Sequence, residues 1–153
     1  MTTAWVPLAE ITLTSTDSEV VFGSIPNTYR DLVLVANCVG AADENMTPKF
    51  NGSSSDFSWV QMTTGPASSS GTNNSIGRIS TSRNYVMLQI FDYAQTDKHK
   101  PFLVRTEVSG SEARQLAARW AQTTAINQVS LGIRLGANFQ IGSTFALYGS
   151  NKL

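Results

Sequence analysis

Charged side chains are scarce in this chain: Asp, Glu, Lys and Arg make up 14% of its 153 residues, against about 25% in an ordinary soluble domain. The 11 basic residues balance the 11 acidic ones. Binding to nucleic acid draws its affinity from a basic patch that displaces counterions from phosphates, so nucleic acid is not expected as the main partner. Long hydrophobic runs are missing as well. No segment offers the ~18 uninterrupted apolar residues of a membrane span, and Met1–Pro7 lacks the basic start and apolar core of a cleavable signal. The expectation is a soluble protein with no membrane partner.

Chemistry-bearing residues are equally thin. The only cysteine, Cys38, sits in the apolar run Leu32-Val-Leu-Val-Ala-Asn-Cys-Val39 and reads as a small buried hydrophobe. The only histidine, His99, lies in Asp97-Lys-His-Lys-Pro101, a solvated turn. Asp92 and Asp97 are its acidic neighbours in sequence, but one imidazole without a second His or Cys at ligand spacing is a weak metal signal. Gly52-Ser-Ser54 lacks the Gly-x-Ser-x-Gly turn into a helix that a serine nucleophile needs, and no phosphate-binding loop is present. The sequons at Asn45, Asn51 and Asn73 read as Asn-rich turns. The chain is expected to be no enzyme, with no catalytic residue, metal ligand or cofactor.

What the sequence does hold is a succession of short strands. Period-two or apolar segments fall near Leu8–Thr14, Glu19–Phe22, Leu32–Val39, Pro48–Asn51, Ser58–Thr63, Ile76–Ser80, Tyr85–Phe91, Phe102–Val108, Leu116–Thr123, Gln128–Leu135 and Thr144–Tyr148. Gly, Pro, Asn and Ser separate them, and no β-α-β alternation appears. This pattern predicts an all-β protein, an antiparallel β-sandwich. Leu32–Val39 and Tyr85–Phe91, apolar on both faces, suit central strands. Phe102, Val104, Thr106 and Val108 alternate with Leu103, Arg105 and Glu107, as in a strand nearer solvent. Ser111–Ala121 admits a short capped helix, but Leu116, Ala118 and Trp120 alternate, which favours a strand. A chain of this length buries about two thirds of its unfolded surface.

The last two segments read most clearly. Val129, Leu131, Ile133 and Leu135 share one side of the first, and Phe145 and Leu147 are the buried residues of the second. Gly136 and Asn138 between them accept positive φ, so the two are expected to pair antiparallel as neighbours.

Two polar loops invite a role. Thr64–Ser75 is rich in Ser, Gly and Asn, and reads either as a mobile surface insertion or as a loop ordered by a neighbouring subunit or ligand. Gly40–Thr47 admits the same readings. One domain, residues 8–153, is expected, preceded by an arm, Met1–Pro7. Trp5 next to Val6-Pro7 has little of its own domain to pack on there and could anchor the arm to a neighbour. Trp5, Val6, Pro7, Tyr93 and His99 are therefore the candidate interface residues. Exposed aromatics beside Asn, Asp and Gln could also stack on sugar rings.

Several segments together resemble the small β-sandwich virion proteins of tailed bacteriophages, found as capsid cement or decoration proteins and as head or tail fibre domains. They are Phe22-Gly-Ser-Ile-Pro-Asn-Thr-Tyr-Arg-Asp-Leu-Val-Leu-Val35, Lys49-Phe-Asn-Gly52, Ile90-Phe-Asp-Tyr-Ala-Gln-Thr-Asp-Lys-His-Lys100, Trp120 leading to Ala125-Ile-Asn-Gln-Val-Ser-Leu131, and Gly136–Gly149. The resemblance implies a jelly-roll-like sandwich and carries no catalytic or metal-binding residue. It implies a structural protein made in the host bacterial cytoplasm that joins the virion at the capsid surface. Its partners would be the major capsid protein and its own copies, as a homotrimer, or host-surface carbohydrate if it serves as a fibre domain.

Overall fold

The computed structural model describes residues 5–64, 68–110 and 112–151. Among them are twelve strands: β1 (Trp5–Thr12), β2 (Glu19–Phe22), β3 (Leu32–Val39), β4 (Glu44–Phe50), β5 (Phe57–Thr63), β6 (Ser68–Gly71), β7 (Gly77–Ile79), β8 (Arg83–Ile90), β9 (Lys100–Val108), β10 (Glu112–Trp120), β11 (Val129–Ile133) and β12 (Thr144–Ser150). The strands form two antiparallel sheets, an eight-stranded one in the order β1-β12-β3-β8-β9-β10-β5-β6 and a four-stranded one in the order β2-β11-β4-β7. The protein is an all-β sandwich. Without β5, β6, β9 and β10, the other eight strands, counted along the chain, form sheets 1-8-3-6 and 2-7-4-5. That winding, in which the chain alternates between sheets at every step but 4 to 5, is jelly-roll order.

The four remaining strands arrive as two insertions. Hairpin β5-β6 lies between β4 and β7, hairpin β9-β10 between β8 and β11, and the two join through β5 and β10 to widen one sheet. An aromatic cluster seats this extension on the core. Phe50 of β4 packs against Phe57 of β5, Phe102 of β9 and Trp120 of β10 at centroid separations of 5.3, 5.4 and 5.6 Å. Between the two sheets the core is largely aliphatic, with Leu34, Val86, Leu88 and Leu147 on one sheet and Val20, Met46, Val129 and Leu131 on the other, joined by Phe22, Phe139 and Phe145.

Period-two reasoning holds best where one face meets the core. β9 alternates buried and exposed residues along its whole length. β3 and β8 are central, as their apolar runs predict, and the ambiguous segment after Gly110 is strand β10.

The expected terminal hairpin does not form. β11 pairs with β2 and β4 in the small sheet, whereas β12 pairs with β1 and β3 in the large one. The connection between them crosses the sandwich instead of reversing. It is pinned by Phe139, whose backbone N–H donates to Asp17 O at 2.7 Å and whose ring meets Phe145 at 5.0 Å. Leu135, expected to point inward, is 83% exposed on the 3-10 turn Arg134–Gly136.

Two further expectations change. Strand β1 begins at Trp5, and its register runs Trp5 to Ser150, Val6 to Gly149 and Pro7 to Tyr148. These three residues are therefore part of the sheet and not of a separate arm, because β12 offers backbone partners beyond Leu8; residues 1–4 lie outside the described residues. Within the polar loop, Ser68–Gly71 is strand β6, paired with β5. Strand pairing uses backbone groups and needs no apolar side chain, and Gly71 leaves room for the Trp59 ring, which a Cβ would approach to 2.6 Å. The loop's residues 65–67 lie outside the described residues.

Candidate interaction surface

The segment that sequence singled out for chemistry is a folded turn. Lys100, fully buried, donates from Nζ to the backbone carbonyls of Thr123 at 2.9 Å, Lys98 at 3.0 Å and Gln95, so the turn closes around its ammonium. Burial pushes that ammonium below the ordinary lysine range. Asp92 is held by Lys98 at 2.6 Å, and its own N–H donates to Asp31 Oδ1 at 2.9 Å. Tyr93 is buried, not an interface residue: its hydroxyl donates to the carbonyl of Pro26, and burial pushes the phenol pKa up. His99 is exposed on the outside of this turn. Among the described residues, no three His, Cys, Asp or Glu side chains are grouped so as to hold a metal.

A cleft of about 340 Å³ opens at the seam where β1 lies beside the chain leaving β2. Pro7, Leu8, Ile11, Val21, Phe22 and Ile25 line it, and no charged side chain does. Ser24 is the one polar side chain in the lining, and a mainly apolar cleft of this kind gives a ligand little to fix its orientation. Strand edges are no better suited to pairing. β1 carries Pro7 and a register shift between Pro7 and Ala9, while β2, β6 and β7 run only four, four and three residues. Short edges, proline and bulges are the devices that block strand addition.

The two outer faces differ sharply. On the small sheet, Glu19 meets Lys49 at 2.7 Å and Arg78 meets Asp43 at 3.1 Å. On the large sheet, one row of register partners runs from Val60 on β5 through Ala117, Leu103, Gln89 and Val33 to Tyr148 on β12. Next to it lie Met62, Gln115, Arg105, Met87, Val35 and Ala146 in the same order.

The exposed apolar side chains gather on the inserted strands: Val60 is 53% exposed, Met62 67% and Leu103 41%. Ala113 and Ala117 on β10 are too small to fill the space between them, which leaves a shallow furrow beside that strand, broken where Gln115 stands between the two alanines. Arg105 and Arg119 flank it, and neither has an ion-pair partner among the described residues. Clustered apolar exposure on a folded surface marks an interaction site more often than scattered single residues do.

Of the sequence candidates, Trp5 and Pro7 belong by register to this same outer face, at its far end from the furrow, whereas Val6 falls on the opposite side of β1. The structure does not bring them together with Tyr93 or His99. Val60, Met62 and Leu103 were missed, although apolar residues on both sides of a strand beside Trp59 and Phe102 were the signal. No protein-family model, curated protein or solved structure matches this chain.

Proposed function

We propose that the protein is a non-enzymatic structural component of a bacteriophage virion, a decoration protein that binds the assembled capsid shell and stabilises it. The observation that carries this reading is the outer face of the large sheet, where a furrow flanked by arginines with no ion-pair partner among the described residues lies on strands added to an otherwise complete jelly roll. An insertion that widens a sheet adds contact area without adding a pocket, which suits adhesion by shape. The resemblance of the Phe22–Val35 and Gly136–Gly149 segments to phage sandwich proteins supports the virion setting. In this reading the chain is made in the bacterial cytoplasm, assembles as a homotrimer and meets the major capsid protein on the shell. A ligand that binds the shell and not its free subunits stabilises the shell by mass action.

The test is co-sedimentation with assembled shells of the source phage, followed by heating. Bound protein in stoichiometric copy number and a higher disruption temperature are expected. Failure to bind those shells overturns the proposal. A second reading, a fibre domain that binds host-surface carbohydrate, draws on exposed Tyr85, which stands opposite Asn37 on the same outer face. Sugar binding on a glycan array that disappears in Tyr85→Ala would favour it.

A further inference from the structure

Asn51-Gly52, the one Asn-Gly pair in the chain, follows β4 and opens the passage to the first inserted hairpin. Asn51 at φ 51 and Gly52 at φ 78 both take the left-handed conformation of a tight reversal. The Asn51 side chain reaches beyond its own turn. Its Nδ2 donates to the carbonyl of Ala125 at 2.9 Å, and its Oδ1 accepts the N–H groups of Asn127 at 2.9 Å and Gln128 at 3.2 Å. Its backbone N–H donates to Gln128 O at 2.9 Å. One carboxamide thus ties the root of hairpin β5-β6 to the segment by which the chain returns from β9-β10 to β11. Only a carboxamide fits, because one end must donate and the other accept.

An asparagine followed by glycine carries its own nucleophile. Attack of the Gly52 nitrogen on Asn51 Cγ forms a five-membered succinimide and expels Nδ2 as ammonia, which leaves with the Gly52 amide proton. Water then opens the ring at one carbonyl to give aspartate, or at the other to give isoaspartate. Glycine favours the attack because no side chain hinders its nitrogen or the backbone rotation that brings it to Cγ. Gly52 is exposed, so water reaches the site. In the closed fold, however, the carboxamide is held at both ends, and the reversal is fixed by the pairing of Phe50 with Ser53. Attack waits for the 125–128 segment to let go.

We propose that Asn51 is a self-deamidating latch: local opening between its turn and residues 125–128 frees the carboxamide for attack by Gly52, and the product cannot close again. Aspartate sets a carboxylate oxygen against the Ala125 carbonyl, two acceptors with no proton between them. Isoaspartate adds a methylene to the backbone and carries the carboxylate off the Asn127 and Gln128 N–H groups. Either product loosens the Ala125–Gln128 segment, while β10 stays paired with β5 and β9 and the Ala121 N–H still donates to Asp56 O at 2.8 Å. The inserted strands remain attached, and their root slackens with age in one direction only. This modification is independent of the virion reading.

The full chain and the free peptide Lys49–Ser54 are aged side by side at mildly alkaline pH and followed by intact mass and peptide mapping. Asn51 is expected to be modified before any other asparagine, at least about tenfold more slowly than in the peptide, and to approach the peptide's rate in urea below the unfolding transition. Hydrogen exchange is then read on the aged protein and on Asn51→Asp. Faster exchange is expected at the Asn127 and Gln128 amides that Oδ1 holds, with the β5 and β10 amides unchanged. The aged wild type supplies this measurement even if the substituted chain folds poorly. A folded chain that deamidates as fast as the peptide overturns the latch. So does an Asn51 that stays intact in urea after the peptide has turned over, or a different asparagine modified first. Unchanged exchange at Asn127 and Gln128 in the aged protein overturns the one-way release.

Discussion

The ring of Tyr29 lies directly on Gly149. A Cβ built at position 149 would stand 2.4 Å from the Tyr29 Cγ and 2.7 Å from its Cδ2. The segment Ile25-Pro26-Asn27-Thr28 that turns the chain out of β2 is thus clamped to β12, the strand paired with both β1 and β3.

Gly149→Ala is expected to destabilise the fold by about 1–3 kcal/mol, the usual cost of forcing extra volume into a packed contact. The same change made together with Tyr29→Ala should cost less than the two single changes added, since the clash is then gone. Urea unfolding of the four proteins measures the coupling. Strict additivity would show that the ring moves aside freely.

Lys100 is the buried cation on which the turn after β8 is wound. In Lys100→Met the stem is kept but the carbonyls of Gln95, Lys98 and Thr123 lose their donor, and buried unpaired carbonyls cost about 1–3 kcal/mol each. Water entering the opened turn offsets part of this, so a loss of about 3 kcal/mol is expected, roughly 6–12 °C in Tm for a domain of this size. A Met variant as stable as the wild type would mean that the carbonyls do not depend on the ammonium.

Burial pushes the Cys38 thiol from 9.0 up to about 12. The unfolded chain sheds the thiol proton from about pH 9 upward while the folded chain keeps it, so this group's contribution is intact below pH 9 and lost between pH 9 and about 12. Compared with Cys38→Ala, the wild type should lose about 1.4 kcal/mol per pH unit across that window. Denaturant melts of both proteins from pH 7 to 11 give the difference, and a flat difference would refute the assignment.

Replacing Leu135 by Gly removes the left-handed strain at φ 59 together with the side chain. Relief of the strain, about 1–2 kcal/mol, exceeds the cost of the glycine's greater freedom in the unfolded chain, about 0.4–1 kcal/mol, so stability is expected to rise by roughly 0.5–1 kcal/mol. Thermal melts read the change, and a glycine variant less stable than the wild type would contradict the strain.

Sequence reading succeeded where the constraint is local and missed where the partner is distant. Alternation along Phe102–Val108 and the apolar runs Leu32–Val39 and Tyr85–Phe91 place strands where β9, β3 and β8 lie, because one face of each meets the core. β6 escaped because its Ser-rich sequence forms a strand only through backbone bonds to β5. The terminal hairpin was misread for a related reason: Gly136 and Asn138 permit a reversal, but Phe139 is buried, and its burial carries the chain across to the other sheet. Of the proposed surface, only Trp5 and Pro7 were marked in advance. The furrow exists because β5 and β10 pair Trp120 with Phe57 through Arg114 with Thr63, a register that no local pattern encodes.

That pairing makes the two insertions a single unit in space although jelly-roll strands separate them along the chain. Removing hairpin β5-β6 would strip β10 of one neighbour, and removing hairpin β9-β10 would leave β5-β6 with no sheet to join. The dependence runs one way: β5-β6 reaches the sheet only through β10, whereas β9-β10 is held by β8, so β5-β6 cannot be gained or transplanted without β9-β10. A segment-by-segment view of the sequence would count two unrelated loops where the molecule has one detachable wing.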